Sequence, residues 1–491
     1  MKKQILSLTV ILMFFVSGIA FAGTVNLPQT GQTKCYDTAG TEISCPGTGQ
    51  DGEIQAGVSW PEPRFTDNGD GTMTDNLTGL MWTKNANLPN GYMTWQYALW
   101  YVLDMNAGAY PNLGYTDWRL PNVNELESLI NANEADSATW LNAQGFTNVQ
   151  ADGYWSSDTY VCSTSYPGLA WIVSMRVSVV GWDVKFLNYY DPYYVWPVRG
   201  GQCGSLDHSA ICLPKTGQTK CYTTISNREI PCTGTGQDGE IQAGVAWPEP
   251  RFADNGDGTV TDNLTGLMWT KNANLPGGSQ TWQQALDYVK GMKNGADSNF
   301  SYTDWRLPNR KELYSLQDFS QCNPALPAGH PFTNVPANVP AGSWWSSTTS
   351  AYSPGRACSV YGAVGKSYSN LYVWPVRGPE PTIITLSSFT ATPYDRKVIL
   401  EWTTASEIDN AGFNLYRSEL EDGEYVKINS SLIPAEGNAT SGATYKYVDD
   451  DVKNRKTFYY KLEDIDLNGI STMHGPVSVT PRRVNELRVK E

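Results

Sequence analysis

Residues 66–89 return almost letter for letter at residues 253–276. Self-similarity at a long, fixed period decides how many folding units a chain contains before any local reading begins. Here it dictates two copies of one unit. A leader precedes each copy: residues 29–36 return at 215–222, residues 47–53 at 234–240, and both leaders end in Trp-Pro-Glu-Pro-Arg-Phe, beginning at Trp60 and Trp247. Leaders so rich in Gly, Thr and Pro bury little. Each reads as an extended arm, a connector more than a site, stapled by one short-range disulfide, Cys35 with Cys45 and Cys221 with Cys232.

Inside the copy, Asn68-Gly69-Asp70-Gly71 is a turn signal, Thr72-Met73-Thr74 a short strand, residues 75–79 a second turn, and Leu80-Met81-Trp82 a second strand. The pattern is a β-meander. Asp67, Asp70 and Asp75, with their counterparts Asp254, Asp257 and Asp262, serve either tight turns or a calcium ion. The spacing lacks the ligand order of an EF-hand. Calcium is the one cofactor these residues suggest.

Thr94 is placed to cap a helix that buries Trp95, Leu99 and Val102 and ends at Gly108; in the second copy Thr281 and Gln284 have capping-box spacing ahead of Trp282, Leu286 and Val289. Asp117-Trp118-Arg119-Leu120-Pro121-Asn122 recurs at residues 304–309. Asn122 with Glu125, and Asn309 with Glu312, read as capping boxes of a further helix whose buried stripe is Leu126, Leu129 and Ile130. Arg119 and Arg306 are each expected to be held by a carboxylate, such as Asp117 or Asp304, or by backbone carbonyls.

The copies then diverge. Trp155-Ser156-Ser157 matches Trp345-Ser346-Ser347 and residues 195–200 match 373–378, but 40 residues separate Trp155 from Val195 and only 28 separate Trp345 from Val373. A kept frame with changed excursions points to recognition through the divergent loops. Tyr189, Tyr190, Tyr193 and Tyr194 in the first copy, and Tyr352, Tyr361, Tyr368 and Tyr372 in the second, are the candidate platforms for sugar faces, since tyrosine joins an apolar ring to a hydroxyl. The same alternation also suits strands of a core.

The ordered set of Asn-Gly-Asp-Gly-Thr, Thr-Gly-Leu-Met-Trp, Asp-Trp-Arg-Leu-Pro-Asn followed by Glu-Leu, Trp-Ser-Ser and Trp-Pro-Val-Arg-Gly occurs twice. It resembles the C-terminal domain of the Legionella collagen-like adhesin, over residues 64–200 and 251–378. The resemblance implies an α+β fold of C-type-lectin-like kind, related also to sulfatase-modifying domains, with binding of sulfated polysaccharide and assembly into trimers. This chain has no collagen repeat, and its acidic balance opposes a polyanionic ligand. The cysteine pair of the sulfatase-modifying enzymes has no counterpart in Cys162, Cys322 or Cys358.

Beyond residue 383, short alternating runs at 398–402, 413–417 and 458–462 describe an all-β sandwich, similar to a fibronectin type III module. The expected organisation is a signal peptide (1–22), a stapled arm (23–63), a first repeat domain (64–200), a linker and second arm (201–250), a second repeat domain (251–378), the sandwich (379–481) and a charged tail (482–491). The leader has a basic start, an apolar centre and an Ala20-Phe21-Ala22 exit, which predicts cleavage and export to the periplasm, cell surface or medium of a bacterium. Nine cysteines fit an exported chain. The remaining expected pairs are Cys203 with Cys212 and Cys322 with Cys358, which leaves Cys162 free or intermolecular.

With 49 acids against 35 bases, a net charge of −14 disfavours nucleic acid or an anionic membrane surface as partner. No second apolar stretch is long enough to span a membrane. His208, His330 and His474 do not fall at matching positions in the two copies, and Ser156-Ser157 has no adjacent base. The reading is therefore a non-enzymatic recognition protein for an extracellular glycan or surface protein, with oligomers open to it. A structural spacer is the alternative, and a two-carboxylate carbohydrate hydrolase the second alternative.

Overall fold

The computed structural model describes residues 25–162, 168–177, 179–186, 193–200, 211–322, 325–336, 344–360, 362–368, 371–378, 385–407, 410–421, 423–437, 442–466 and 471–482. The leader, Tyr189, Tyr190, Cys203, His208, Tyr361 and the tail from 483 lie outside the described residues.

The first arm is a pinned hairpin. Cys35–Tyr36 (β1) pairs antiparallel with Glu42–Ile43 (β2), the Cys35–Cys45 bridge closes the pair, and a single helical turn, Asp51–Ile54 (α1), follows. One carboxylate shapes the loop between them: Glu53 accepts the amides of Gly47 (2.6 Å) and Gly49 (2.7 Å). Both glycines have positive φ, 82° and 68°, a region open to them because they lack a Cβ.

The first repeat opens with Phe65–Asp67 (β3), Thr72–Asp75 (β4) and Leu80–Thr83 (β5). Trp95–Asn106 (α2), Val123–Ser128 (α3) and Ser137–Ala143 (α4) follow. Gly153–Tyr160 (β6), Leu169–Ser174 (β7) and Val179–Val184 (β8) form a three-stranded antiparallel sheet, and Val198–Gly200 (β9) returns beside β5 to complete the order β3-β4-β5-β9. Asn122 and Glu125 make the full capping box of α3. Thr94 occupies the N-cap of α2 without a side-chain bond. Trp82 and Trp196 meet edge to face at 5.3 Å inside this frame.

The second arm repeats the first as Cys221–Tyr222 (β10), Glu229–Ile230 (β11), the Cys221–Cys232 bridge and Asp238–Ile241 (α5). The second repeat contains Phe252–Asp254 (β12), Thr259–Asp262 (β13), Met268–Thr270 (β14), Leu275–Gln280 (β15), Trp282–Lys293 (α6) and Arg310–Ser315 (α7). It closes with Arg356–Cys358 (β16), Ala363–Gly365 (β17), Leu371–Val373 (β18) and Val376–Arg377 (β19), giving a matching sheet β12-β13-β14-β19.

The last unit places Thr385–Tyr394 (β20), Lys397–Ser406 (β21), Asn410–Ser418 (β22), Val426–Lys427 (β23), Ile433–Pro434 (β24), Thr444–Asp449 (β25), Phe458–Asp466 (β26) and Ser471–Val479 (β27) in two sheets. Their orders are β20-β21-β25 and β23-β22-β26-β27, with β24 also on β22. Trp402 stacks on Tyr445 at 5.2 Å within a core that includes Phe413 and Tyr460. The whole chain is thus strand-rich with few helices, α+β in the repeats and all-β in the sandwich.

The arms cross. Arm 1 takes the Ala132 amide on Thr30 O of repeat 1, then reaches repeat 2, where Asp51 N donates to Ser347 O (3.1 Å), Gln32 binds both Ala132 O and Thr349, and Lys366 Nζ donates to Tyr36 O. Arm 2 does the reverse: Thr216 O takes the Phe319 amide of repeat 2, while Gln218 brackets Thr159 of repeat 1 and Asn122 Nδ2 donates to Ala243 O. One apolar core therefore runs through both repeats, joining Leu126 and Leu129 to Leu313 and Leu316. Across the approximate two-fold axis, buried Glu127 of α3 receives Lys311 Nζ at 3.0 Å and Arg310 Nε at 3.4 Å from α7.

The expected partner of Cys322, the expected free state of Cys162 and the carboxylates expected beside Arg119 and Arg306 change here. Cys322 bonds Cys162, not Cys358, so this bridge ties the two repeats together and Cys358 is a buried free thiol. Cys212 is disulfide-bonded, and its expected partner Cys203 lies outside the described residues. Arg119 and Arg306 are each held by a carboxylate as expected, and Arg119 Nη2 also donates to the Gly200 carbonyl (3.0 Å), but the carboxylates are not Asp117 and Asp304. The two arginines form bidentate pairs with Glu125 and Glu312 at 2.5 Å, and the aspartates pair with Arg199 and Arg377 instead. The planar guanidinium fork matches a carboxylate whose other acceptor role is already set by the capping box.

Candidate functional site

Helix α2 turns Trp95, Ala98, Leu99, Val102 and Met105 inward. Trp95 Nε1 donates to Ser156 O (2.7 Å) and Trp155 Nε1 to Met93 O (2.8 Å), which locks the helix to β6. Asn106 both accepts the Trp118 amide (2.9 Å) and donates to Trp118 O (2.7 Å), fixing residues 117–120 beside the helix end. The α5 loop of arm 2 comes over the top. Between them lies cleft 1, a cavity of about 420 Å³ walled by Leu99, Leu103, Asn106, Asp117, Gly236 and Ile241.

Cleft 2 sits in the equivalent place on the other half. Its volume is about 260 Å³, between α6, residues 305–306 and the α1 loop of arm 1. The frame is kept, with Leu286 for Leu99, Gly49 for Gly236 and Ile54 for Ile241. The chemistry is not: Leu103 and Asn106 are replaced by Lys290 and Lys293. Neither arm is a mere connector, because each supplies one wall of the other repeat's cleft.

Outside the mouth of cleft 1, α2 exposes Tyr97 (59 %) and Trp100 (50 %), set edge to face at 5.4 Å, in line with Leu103. The second repeat has Gln284 and Asp287 there. Helical spacing carries this signal, because positions 97 and 100 fall opposite the buried face of Trp95, Leu99 and Val102. Lys185 and Lys366 are a second matched pair within the divergent segments, each four residues after a glycine, Gly181 and Gly362. Each ammonium lies 4.0 Å over a helix-start tryptophan, Trp95 or Trp282. Burial lowers both, Lys185 well below the usual lysine range and Lys366 to about 7. Lys366 holds arm 1 in place, a packing role.

The proposed platforms scatter. Tyr352 and Tyr368 are exposed; Tyr193 and Tyr372 are half-buried, and Tyr194 is buried against Tyr92 and Tyr154. Tyr193 donates to Asp183 at 2.7 Å. The divergent segment of repeat 1 turns largely inward, since Trp171, Val173 and Val180 join the core.

The aspartates of the duplicated stretch are engaged with protein donors. Asp67 binds Lys84 and the Gly69 amide, Asp70 accepts Thr72 and Tyr115, and buried Asp75 pairs with Arg64, which also donates to Ser128 O and lies over Trp60. Asp254, Asp257 and Asp262 repeat these contacts with Lys271, Thr259 and Arg251. Among the described residues no group of three His, Cys, Asp or Glu side chains is spaced to hold a metal ion, and no helix is long and apolar enough to cross a membrane.

Among known proteins, the chain is similar over 86 residues, at 31 % identity, to an amylopullulanase of Thermoanaerobacter thermohydrosulfuricus; these are 17 % of this chain and 5 % of that protein's length. A solved Fn3-like protein from Clostridium thermocellum aligns over its whole length with 22 % of this chain, at 15 % identity and a TM-score of 0.16. The family described as the Lcl C-terminal domain matches residues 71–199 and 258–377, just over half of the chain and once in each repeat. Taken with the crossed frame, the chain belongs to the Lcl C-terminal domain family, as a tandem member.

Proposed function

We propose that the chain is an exported, non-enzymatic recognition protein whose first cleft, with the Tyr97–Trp100 strip at its mouth, binds carbohydrate. Family membership and the disulfides describe an extracellular binding or structural protein; the ligand class is our reading. One observation carries it. In a frame duplicated down to the capping boxes of α3 and α7, α2 places two large aromatic rings in solvent beside an apolar cleft, whereas α6 carries polar and charged residues at those positions. Flat, rigid aromatic faces with polar neighbours suit the apolar face of a pyranose and its hydroxyl rim. The return of β9 beside β5, which brings both ends of a repeat into one sheet, supports keeping the repeats as C-type-lectin-like units.

The carboxylates at the clefts favour binding over hydrolysis: Asp117 of cleft 1 pairs with Arg199, and Glu53 of cleft 2 accepts the Gly47 and Gly49 amides. Glu125 and Glu312 are tied to Arg119 and Arg306 and cap their helices. A glycan array on the intact chain, followed by calorimetry on any hit, tests the reading. Trp100→Ala is expected to weaken binding about tenfold or more, the loss of one buried aromatic contact of roughly 1.5–3 kcal/mol. Asp287→Ala on the opposite half should leave it unchanged. Silence across the array, or a hit indifferent to both Tyr97→Ala and Trp100→Ala, supports the structural spacer instead.

A further inference from the structure

Asp158 on β6 and Asp238 at the start of α5, which packs against β6 where arm 2 docks on repeat 1, are both buried, and Asp158 lies within reach of the Asp238 charge. Asp158 Oδ2 accepts the Val123 amide (2.7 Å), Asp238 Oδ2 accepts the Thr216 hydroxyl, and Oδ1 of each aspartate has no hydrogen-bond partner. The other charges around them are already committed. Arg119 and Glu125 hold each other, and Lys185 Nζ is turned to Thr159 Oγ1 (2.7 Å).

The second half shows what this position requires. Thr348 stands where Asp158 stands, one residue beyond the matched Trp-Ser-Ser. Its hydroxyl accepts the Arg310 amide (3.0 Å) and donates to Asp51 Oδ2 (2.7 Å), which also takes the Thr30 hydroxyl (2.6 Å). A hydroxyl can accept and donate at once; an ionised carboxylate can only accept. Asp158 can replace Thr348 only while a proton sits between it and Asp238. Two buried carboxylates that feel each other's charge do not both ionise readily.

We propose that a proton shared by Asp158 and Asp238 latches arm 2 onto repeat 1, so that assembly of cleft 1 depends on a second proton that cleft 2 lacks. Asp238 lies between Gly236 and Ile241, the arm residues that wall cleft 1. Loss of the latch therefore opens that cleft, whatever it binds.

Burial, then the nearby Glu125 charge, pushes Asp238 up to about 6, while burial and Asp238 push Asp158 well above the carboxylate range. Burial and Glu312 push Asp51 up to about 6 as well. A raised docked-state value means that the docked arm binds more protons than the free one. Its stabilisation is complete below the ordinary carboxylate value of about 4 and is lost as pH rises through the docked value. Both arms loosen between about pH 4 and pH 6. Arm 2 alone has a further proton to lose, because the pair titrates in two steps, so it goes on loosening above pH 6.

The test is hydrogen exchange by mass spectrometry on the intact chain at pH 6.5 and 8.5, corrected for intrinsic rates. Opening of arm 2 (residues 213–245) should rise tenfold or more, the effect of one unit of docked-state titration. Arm 1 (residues 27–58) should not open over this range, because Lys366, which holds it and is lowered to about 7 by burial, loses its proton there and docking tightens. Asp158→Thr copies a pairing the protein already uses in its other half, and it should remove the rise from arm 2. The proposal is overturned if both arms respond alike or if the response survives Asp158→Thr. It is also overturned if millimolar calcium restores arm 2 at pH 8.5 and a chelator removes the effect, since a cation would then join the carboxylates.

Discussion

Glu127→Ala should lower the unfolding free energy of the paired repeats by about 3–5 kcal/mol, the range for removing one partner from a buried ion pair. Glu127 is 5 % exposed, and it faces Arg310 (6 %) and Lys311 (4 %) across the approximate two-fold axis. The substitution leaves two cations in the repeat–repeat core without their carboxylate. Burial already lowers the Lys311 ammonium below its usual value, so the environment disfavours the charge once its counter-ion is gone. Urea unfolding followed by tryptophan fluorescence reads the effect as a lower midpoint at an unchanged slope. A triple variant, Glu127→Leu, Arg310→Leu and Lys311→Met, should recover most of the loss, because apolar side chains of similar volume replace such a triad at little cost. An equal loss in the triple variant would mean that shape, not charge, joins the repeats.

The same triad explains why the copies pair with each other. Val123 and Asn124 occupy the positions of Arg310 and Lys311, and Tyr314 that of Glu127. Two first repeats face to face would bury Glu127 without a cation, and two second repeats would bury both cations opposite tyrosines. Only the mixed pair is balanced, so the charges specify partner choice more than they add net stability.

The second large effect is expected from Cys162→Ser with Cys322→Ser, a loss of about 2–5 kcal/mol. The bridge spans 160 residues, whereas the arm bridges close rings of 10 and 11. On the chain-entropy account the long ring constrains the unfolded chain more than either short one. Removing Cys35–Cys45 should therefore shift the melting temperature less than removing Cys162–Cys322. A thiol assay on the native chain should detect no reactive group at Cys358, which is buried with its thiol raised by desolvation, and should detect it after denaturation.

Local chemistry was legible in the chain because it is written in short spacings. The Asn122–Glu125 and Asn309–Glu312 boxes, the buried face of Trp95, Leu99 and Val102, and the turns at Gly69 and Gly71 are each settled within a few residues. What stayed hidden is non-local. Nothing in residues 29–58 says which copy they will dock on, since the two copies present nearly identical Trp-Ser-Ser surfaces. Cys162 looked unpaired because its partner is in the other repeat. Asp117 is adjacent to Arg119 in sequence, yet it pairs with Arg199 of β9, while Glu125, fixed by its capping box, reaches back from α3 to both guanidinium nitrogens of Arg119. The exposed pair Tyr97 and Trp100 was visible in principle, on the unburied side of a helix already drawn. Of the described tyrosines in the divergent segments, Tyr194 is buried, Tyr193 and Tyr372 are half-buried, and Tyr352 and Tyr368 are exposed.

The central claim is that each arm crosses to the other repeat and completes its cleft. At the tip of arm 1, a Cβ built on Gly355 lies 3.5 Å from Ala39 O and 3.8 Å from Ala39 C. Ala39→Cys with Gly355→Cys should form an additional bridge in the folded chain, read as a linked peptide by non-reducing mass spectrometry. Both introduced thiols remaining fully alkylatable in a chain that is otherwise folded would place arm 1 elsewhere and contradict the crossed architecture.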